Sequence, residues 1–381
     1  MRTLLLFAAC LASLAARARG PHCFEVPCTV EHGKYVVTVE TPAGPRRFAL
    51  DTGASRTCIS GALCRALGLE AAGQGAVGDF EGHRAEVGRV TIPRLGMGRA
   101  SYREVPAYVF PDSSYLFRCL GLDGVVGGDL LRRWAVRISA SDSTVVLASD
   151  ARLLGATDRR RSMRFARSSN RPLLRLRASN GALRTHAYVI FDSGSSGLLD
   201  CHLFELRAME QREILRCLRR TAGHSGNLGW TNRSEVREAL RAVVPRLELA
   251  GSTLDDVPVE VTYGSVSKLG LGLLCWGDVV VDYPRRRLYL LPRTPAPAPL
   301  AGGLRNVTAT LDRGRLVVGQ VWDEALRGLV APGDRIVRLG TLDVSQVDPC
   351  AFIRGEVRAD RPEMTVRRSD GSLVTIPIKE L

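Results

Sequence analysis

Two short runs of residues in this chain could carry out acid–base chemistry. The first, DTGAS, occupies residues 51–55, and the second, DSGSS, occupies residues 192–196. Each begins with an aspartate, continues with a small hydroxyl residue and a glycine, and follows a strand-like apolar stretch. One such run is typical of an ordinary turn. Two matching runs predict that Asp51 and Asp192 stand at equivalent corners of the fold.

A pair of neighbouring aspartates can hydrolyse a peptide bond without a metal ion or a nucleophilic side chain. Because two like charges at close range cannot both ionise, one pKa rises and the pair shares a proton. The ionised member takes a proton from water while the protonated member polarises the scissile carbonyl. Since the pair titrates as one unit, the sequence does not assign acid and base roles to Asp51 and Asp192.

The residues after each aspartate are predicted to support it. Gly53 and Gly194 permit close approach of the backbone and can direct amides toward the carboxylates. At the next position Ala54 has no side-chain donor, whereas the Ser195 hydroxyl can donate a hydrogen bond to a carboxylate. We therefore hypothesise that Ser195 favours the ionised form of Asp192.

Three landmarks recur in the same order along the chain and indicate a duplication. Each acid run is followed by a Val-Pro strand, at residues 105–106 and 257–258. A segment with glycines and a Leu-Leu pair comes next, and residues 125–136 align without a gap with residues 268–279. Lys268 departs from this repeat, because the first half has a valine there, and it weakens the expectation of a regular second half.

The pattern of short strands predicts two β lobes, over residues 21–150 and 155–293. Runs rich in β-branched and aromatic residues, bounded by Gly, Pro, Asp and Ser, dominate both. Helices are predicted at residues 203–218 and 234–240. An alternating-proline spacer at residues 294–301 leads to a small third unit at 302–381.

The composition is that of a globular protein and argues against nucleic-acid binding. The 381 residues are 45% hydrophobic and 24% charged, which is normal for a protein of two or three domains. The net charge of +14 comes mainly from scattered arginines, since lysine occurs only at Lys34, Lys268 and Lys379. Nucleic-acid binding favours a basic stripe with stacking aromatics, and aromatic residues here are only 6%.

The N-terminus has the features of an export signal. Arg2 precedes an apolar run, and a small-x-small pattern follows it, so residues 1–18 are predicted to be a signal peptide. The run is too short to span a bilayer. A lipid anchor at Cys10 is the alternative. The predicted location is the periplasm, the cell envelope or the extracellular space.

The ten cysteines do not reveal their pairing. Export permits disulfides, but the connectivity does not follow from the sequence. The histidines and cysteines lack metal-binding spacing, so we predict no metal and no cofactor. Three local pairs are plausible: Cys23 with Cys28, Cys58 with Cys64, and Cys201 with Cys217.

These motifs resemble those of the pepsin and retropepsin-like aspartic peptidases, specifically secreted bacterial proteins with two retropepsin-like lobes and a C-terminal PDZ domain. The motifs are DTG at 51–53 with VVG at 125–127, and DSG at 192–194 with KLG at 268–270. The resemblance implies a mainly β fold of two pseudo-symmetric β-barrel lobes followed by a PDZ-like domain. It also implies a monomeric aspartic endopeptidase that cleaves peptide or protein substrates.

The resemblance assigns roles to further residues. The hydroxyls of Thr52 and Ser193 resemble a pair that hydrogen-bonds across the lobes and holds the acid corners rigid. Glycine-rich stretches at 73–82 and 221–230 are candidates for a flap over the substrate or for plain surface loops. Their aromatic residues, Phe80 and Trp230, then line the cleft or anchor each loop.

The third unit resembles a PDZ domain through residues 328–329 and 333–336. PDZ domains bind an extended peptide by adding a strand to a sheet edge. Because the carboxylate-binding loop is indistinct near residues 302–304, packing on the lobes for stability or positioning remains an equal alternative.

Two functions of different classes follow. The first is an exported aspartic endopeptidase whose catalytic pair, Asp51 and Asp192, is made within one chain. The second is a non-catalytic envelope protein that binds peptides with its PDZ domain on a degenerate protease scaffold. Carboxyls that face each other within hydrogen-bonding distance favour the enzyme.

Overall fold

The computed structural model describes residues 22–79, 81–225, 229, 235–293 and 305–380. The predicted signal peptide and the predicted proline spacer therefore lie outside the described residues. The elements of the first half are β1 Cys23–Val26, β2 Cys28–Glu31, β3 Lys34–Thr41, β4 Gly44–Leu50, β5 Cys58–Ser60, α1 Gly61–Ala66, β6 Gln74–Gly78, β7 Arg84–Met97, β8 Ala100–Phe110, α2 Tyr115–Arg118, β9 Gly124–Val126, α3 Gly128–Leu131, β10 Ala135–Ser139, β11 Thr144–Ala148 and a 3₁₀ turn at Ala151–Leu154.

The second half repeats this series of elements, and a third unit follows it. The second half comprises a 3₁₀ turn at Arg159–Arg161, β12 Ser162–Arg164, β13 Ala166–Ser168, β14 Arg171–Ser179, β15 Arg184–Phe191, β16 Leu199–His202, α4 Leu203–Gln211, β17 Arg216–His224, β18 Val236–Leu249, β19 Ser252–Thr262, β20 Ser267–Leu269, a 3₁₀ turn at Leu271–Cys275, β21 Gly277–Asp282 and β22 Arg287–Pro292. The third unit comprises β23 Val307–Asp312, β24 Arg315–Val321, a 3₁₀ turn at Glu324–Leu326, β25 Arg335–Leu339, β26 Leu342–Asp343, α5 Pro349–Ile353, β27 Glu363–Arg367 and β28 Leu373–Pro377.

The two halves form sheets with the same strand order. In the first half the order is β2-β3-β4-β9-β5-β8-β7-β6, and in the second it is β13-β14-β15-β20-β16-β19-β18-β17. The Val-Pro landmark lies in β8 and in its counterpart β19. The predicted mainly β fold with two pseudo-symmetric lobes is confirmed.

A six-stranded sheet with the order β1-β11-β10-β21-β22-β12 joins the lobes. Its central strands β10 and β21 are antiparallel, with Val136 opposite Val281. Because both side chains are fully buried in one cluster, the lobes share a hydrophobic core. Separating the lobes would expose that apolar surface to water.

Each lobe has a tight hairpin turn beside the lobe boundary. The turn between β2 and β3 has positive φ at His32 and Gly33, and the turn between β13 and β14 has positive φ at Ser169 and Asn170. Two successive residues of this kind are typical of a two-residue type I′ hairpin. The amide of Asn170 crosses the boundary, since its Nδ2 donates to the carbonyl of Ser55 at 3.2 Å.

The third unit has its own core and docks on the second lobe. Its core includes Val318, Ile336 and Val366, which are fully buried. Strand β24 pairs with β17, so the unit's sheet continues that of the second lobe. Its assignment as a PDZ domain stays a prediction, as do the exact domain boundaries.

Two helix predictions need correction. Helix α4 occupies only the first part of residues 203–218, because the chain turns and enters β17 at Arg216. The predicted helix at 234–240 is wrong where the structure describes it, since Val236 begins β18, which pairs with both β17 and β19. In the described ranges no helix is long and apolar enough to cross a membrane.

A disulfide joins the first lobe to the third unit, between Cys119 and Cys350. The three local cysteine pairs suggested by the sequence are wrong, because their six members are free thiols. Cys58 and Cys201 are buried in the lobes. The thiol of Cys64 donates to the carbonyl of Leu69 at 3.2 Å.

Candidate active site

Asp51 and Asp192 lie at the ends of equivalent strands. Each directly follows a buried strand end, of β4 and β15 respectively. The amide of Asp51 donates to the carbonyl of Val126 at 3.0 Å, and the amide of Asp192 donates to that of Leu269 at 2.9 Å. Each aspartate is therefore held by the parallel neighbour of its own strand, β9 or β20.

Thr52 and Ser193 connect the two acid corners through buried hydrogen bonds. The Thr52 amide donates to Ser193 Oγ at 3.0 Å, and the Ser193 amide donates to Thr52 Oγ1 at 2.9 Å. The hydroxyls donate onward to carbonyls of the opposite lobe, Thr52 to Phe191 at 2.7 Å and Ser193 to Leu50 at 2.9 Å. Since both side chains are fully buried, these bonds do not compete with water.

The glycines of the two runs lie against the carboxyls of the opposite lobe. A Cβ added at Gly194 would sit 2.6 Å from Asp51 Cγ. A Cβ added at Gly53 would come closer than 3.0 Å to the whole carboxyl of Asp192. No side chain fits at either position. Each carboxyl therefore lies over the other lobe's loop, and the two acids face each other.

The environment of the two carboxyls favours a single shared proton. Burial raises the pKa of Asp51 well above its usual range, and the charge of Asp192 and a hydrogen bond with its carboxyl raise it further. The amides of Gly53 and Ala54 oppose this rise, since they donate to Asp51 Oδ1 at 2.8 and 2.9 Å. The Gly194 amide donates to Asp192 Oδ1 at 2.8 Å. Two carboxyls arranged in this way can share a single proton.

The hypothesis for Ser195 does not agree with the structure. Among the described residues its hydroxyl makes no hydrogen bond to Asp192. Its amide donates instead to the main-chain carbonyl of Asp192 at 3.1 Å. The tight turn directs the side chain toward Gly270, where an added Cβ would lie 3.1 Å from the Ser195 Cβ.

Two cations beside the acid pair are not predicted from the sequence. Lys34 begins β3 and Arg171 begins β14, so they hold equivalent places in the two lobes. The Lys34 ammonium donates to the carbonyl of Gly194. Burial lowers the pKa of Lys34, while the charges of Asp192 and Asp51 oppose that change. The rarity of lysine in an arginine-rich chain is the one sequence signal that could have identified it.

The candidate flap at residues 73–82 forms part of the hairpin of β6 and β7, and its tip contacts the second lobe. The Arg237 guanidinium donates to the carbonyl of Glu81 at 2.8 Å, and the Ser225 hydroxyl donates to the Glu81 carboxylate at 3.1 Å. Burial raises the pKa of Glu81 to about 7. The first flap candidate therefore bridges both lobes beside the acid pair.

The second flap candidate, residues 221–230, includes the end of β17, which pairs with β18. This hairpin is the counterpart of the hairpin of β6 and β7 in the repeated strand order. Phe80 and Trp230, the aromatic residues of the two candidates, lie outside the described residues.

Lys268 does not disturb the second lobe. Strand β20 sets Lys268 opposite Ile190, as β9 sets Val125 opposite Ala49. The lysine is only 4% exposed, and its ammonium lies 3.3 Å from the Asp200 carboxylate. This ion pair offsets part of the cost of burying the charge. The expectation that Lys268 makes the second lobe irregular is therefore wrong at strand β20.

A cavity of about 550 Å³ lies between the lobes over the acid pair. This volume is in the usual range for ligand sites. Among the described residues, no group of three or more His, Cys, Asp and Glu side chains could hold a metal ion. Residues of both lobes and of the third unit line this cavity, including Lys34, Asp51, Val77, Arg171, Asp192, Lys268, Phe352 and Ile353.

The first lobe is similar in sequence to a protease family. The profile of the gag-polyprotein putative aspartyl protease family matches residues 37–133. No curated protein matches the chain. Many solved structures are similar to the chain, among them two at 14% sequence identity. The retropepsin-like aspartic protease from Rickettsia conorii covers 34% of this chain and 91% of its own, with a TM-score of 0.27. The aspartic proteinase from Irpex lacteus covers 72% and 98%, with a TM-score of 0.41.

Proposed function

We propose that the chain is an aspartic endopeptidase of retropepsin type, in which Asp51 and Asp192 together activate a water molecule. One observation carries the proposal: two aspartates from equivalent strand ends face each other in the cleft and interact through a hydrogen bond. The protease-family similarity of residues 37–133, which include Asp51, supports the same activity.

The proposed reaction needs one proton on the pair. The ionised carboxylate removes a proton from water as the water oxygen attacks the scissile carbonyl carbon. The protonated carboxyl gives its proton to the carbonyl oxygen, which forms a tetrahedral diol. As the diol collapses, the protonated carboxyl gives its proton to the amide nitrogen, the other carboxylate takes a proton from a diol hydroxyl, and the C–N bond breaks. The pair returns to its singly protonated state, and no covalent enzyme intermediate forms.

The supporting residues maintain this geometry. Thr52 and Ser193 fix the separation of the corners, because their hydrogen bonds are buried and reciprocal. Gly53 and Gly194 leave room for each carboxyl over the opposite loop. Their amides donate to the carboxyl of their own lobe, which orients its oxygens. Preorganised groups of this kind need little rearrangement during the reaction.

The proposed substrate is a peptide held between the lobes, and the proposed location is outside the cytoplasm. The open cleft admits an extended chain, and the β6–β7 hairpin lies where a flap would cover it. The export signal predicted at residues 1–18 is the basis for the location. The proposed enzyme is monomeric and exported, either free or held by a lipid anchor at Cys10.

The alternative, a non-catalytic peptide-binding protein, is less well supported. A degenerate scaffold has no need of two facing carboxyls in a cleft, where burial raises the pKa of Asp51 and a buried charge costs stability. Both glycines and both hydroxyls that keep the carboxyls in place are also present. Perturbed acids in a cleft are typical of catalytic sites.

The proposal is tested by cleavage of a peptide mixture by the purified mature chain between pH 4 and pH 7, followed by mass spectrometry. New termini should appear with the natural chain and disappear with Asp51→Asn or with a pepstatin-type inhibitor. Asp255→Asn, which changes an exposed aspartate, should cleave normally. Undiminished cleavage by Asp51→Asn would refute the proposal.

A further inference from the structure

The third unit is fixed to the first lobe at the edge of the cleft. The Cys119–Cys350 disulfide joins the residue after α2 to the second residue of α5. The Arg354 guanidinium also donates to the carbonyl of Cys119 at 3.4 Å. On the other side His32 Nδ1 lies 3.0 Å from the carbonyl oxygen of Arg354. The hairpin turn that contains His32 is the one that precedes Lys34, beside the acid pair.

The same unit is fixed to the second lobe by different contacts. The Thr221 hydroxyl donates to the carbonyl of Val321 at 2.8 Å. The Arg241 guanidinium lies 4.4 Å from the centre of the Trp322 ring, which is a favourable cation–π distance. The third unit therefore contacts both lobes, and its position relative to the cleft between them is fixed from two sides.

This docking brings two apolar side chains of α5 into the cleft. Phe352 and Ile353 both line the cavity that contains Asp51 and Asp192. They are partly buried and pack on the core of the third unit. The lobe residue Tyr115, from α2, also lines the cavity and packs on that same core. The wall of the cleft is therefore shared between the first lobe and the third unit.

The apolar wall continues from α5 toward the acid pair. Leu116 and Leu120 line the cavity and pack against the first-lobe cluster that contains Val125. Val125 pairs with Ala49 in β4, the strand that ends before Asp51. Apolar side chains of the third unit and of the first lobe, up to the strand that ends before Asp51, therefore line the same cavity.

We propose that Phe352 and Ile353, with Tyr115 and Leu116, form an outer apolar subsite for the peptide substrate. The third unit is then part of the substrate site. The inference rests on the proposed peptidase function and names its preferred substrate: an extended peptide with a large apolar side chain several residues from the scissile bond. Burying such a side chain against Phe352 and Ile353 removes apolar surface from water and strengthens binding of that substrate.

The test uses the full mature chain and pairs of peptides that differ only by Phe or Gly at one position. Each of the four residues on either side of the cleaved bond is tested in turn as the Phe or Gly position. With the natural chain, one outer position should show about a tenfold higher kcat/KM for Phe than for Gly, the size expected for an apolar pocket. In Phe352→Ala and Ile353→Ala this ratio should fall toward one, because KM for the Phe peptide rises while kcat stays the same.

Further variants keep the result interpretable. Ile353→Trp fills the subsite, so it should make Gly the preferred residue at that same position. Phe352→Leu keeps an apolar side chain and should retain most of the preference. Phe204→Ala, which removes a 75% exposed phenylalanine from the second lobe, should leave the Phe-to-Gly ratio of kcat/KM unchanged.

The experiment distinguishes failure of the proposed peptidase function from failure of the proposed subsite. If the natural chain cleaves no peptide, the peptidase function fails and the subsite fails with it. If the natural chain cleaves peptides but the Phe-to-Gly ratio is the same in all α5 variants at every position, only the subsite is overturned. A capture role for the third unit that is independent of the cleft would give this second result.

Discussion

Thr52 and Ser193 each donate a backbone amide to the side-chain oxygen of the other across the boundary between the lobes. Their hydroxyls then donate to carbonyls at the ends of the opposite strands. All four bonds are buried, so the separation of Asp51 and Asp192 is set by the same groups that join the lobes. The stability of the lobe interface and the geometry of the acid pair are therefore linked.

Replacing Thr52 by valine should destabilise the fold. Valine keeps the shape but removes the hydroxyl, which leaves the Ser193 amide and the Phe191 carbonyl unpaired in the interior. Each buried unpaired group costs about 1–3 kcal/mol, so we predict a loss of about 2–5 kcal/mol in urea unfolding. Thr38→Val, at an exposed site in β3, is the matched control. Equal stability of the two variants would contradict the predicted linkage.

Replacing Gly194 by alanine should reduce activity more than stability. The new methyl group would overlap the Asp51 carboxyl, which must move away from Asp192. Displacement of a reacting group by about 1 Å can lower the rate about a hundredfold, so kcat should fall by this order. Gly197→Ala meets only ordinary contacts, at 3.8 Å or more, and should keep full activity. A fully active Gly194→Ala enzyme would show that the carboxyl is placed differently.

Replacing Lys34 by methionine should move the alkaline limb of the pH–rate profile to higher pH. The charge of Lys34 lowers the pKa of Asp51, so its removal strengthens binding of the shared proton. We predict a shift of about 0.5–1 pH unit, which corresponds to a charge interaction of about 1 kcal/mol. Lys379→Met, which removes a partner of Asp323 in the third unit, should not shift it. A shift to lower pH would contradict the assignment.

Docking of the β6–β7 tip should weaken as pH rises. Burial raises the pKa of folded Glu81 from 4.5 to about 7, so the docked tip binds a proton more tightly than a free tip. Docking is therefore strongest below about pH 4.5 and weakens as pH rises toward 7. Hydrogen exchange of residues 74–88, corrected for its intrinsic rate, should show less protection at pH 8 than at pH 5.

A variant isolates the contribution of Glu81 to this pH dependence. Glu81 is one of several ionisable groups at the tip, where His83 lies 3.4 Å from both Asp79 and Glu235. Glu81→Gln should remove only the Glu81 part and flatten the profile. Glu86→Gln, at an exposed position of the same hairpin, should leave it unchanged. Identical profiles for the natural chain and Glu81→Gln would disprove the role of this carboxyl.

The acid corners and the two-lobed fold could be predicted because their signals are local and occur twice. The runs at 51–55 and 192–196 each combine a strand end with a glycine turn, and the same strand order is built around both. The helix predicted at 234–240 failed because pairing of β18 on both sides outweighs the helix propensity of its Glu, Arg, Ala and Leu residues.

The features that were missed depend on contacts between distant parts of the chain. Cys119 and Cys350 are separated by 231 residues, so no local pattern indicates that they meet. Lys34 reaches the Gly194 carbonyl only because the lobes pack face to face. Phe352 belongs to a short helix of the third unit, and its place in the cleft follows from docking. The disulfide, the Lys34 contact and the position of Phe352 all depend on how the two lobes and the third unit pack against one another.

Asp51 and Asp192 should work as one unit. The most direct test compares kcat/KM for Asp51→Asn, Asp192→Asn and the double variant on one peptide. Residues that act together have effects that do not add. We predict that each single variant loses at least about a thousandfold in kcat/KM and that the double variant loses no more than either. Substantial activity in one single variant, or losses that multiply in the double variant, would contradict it.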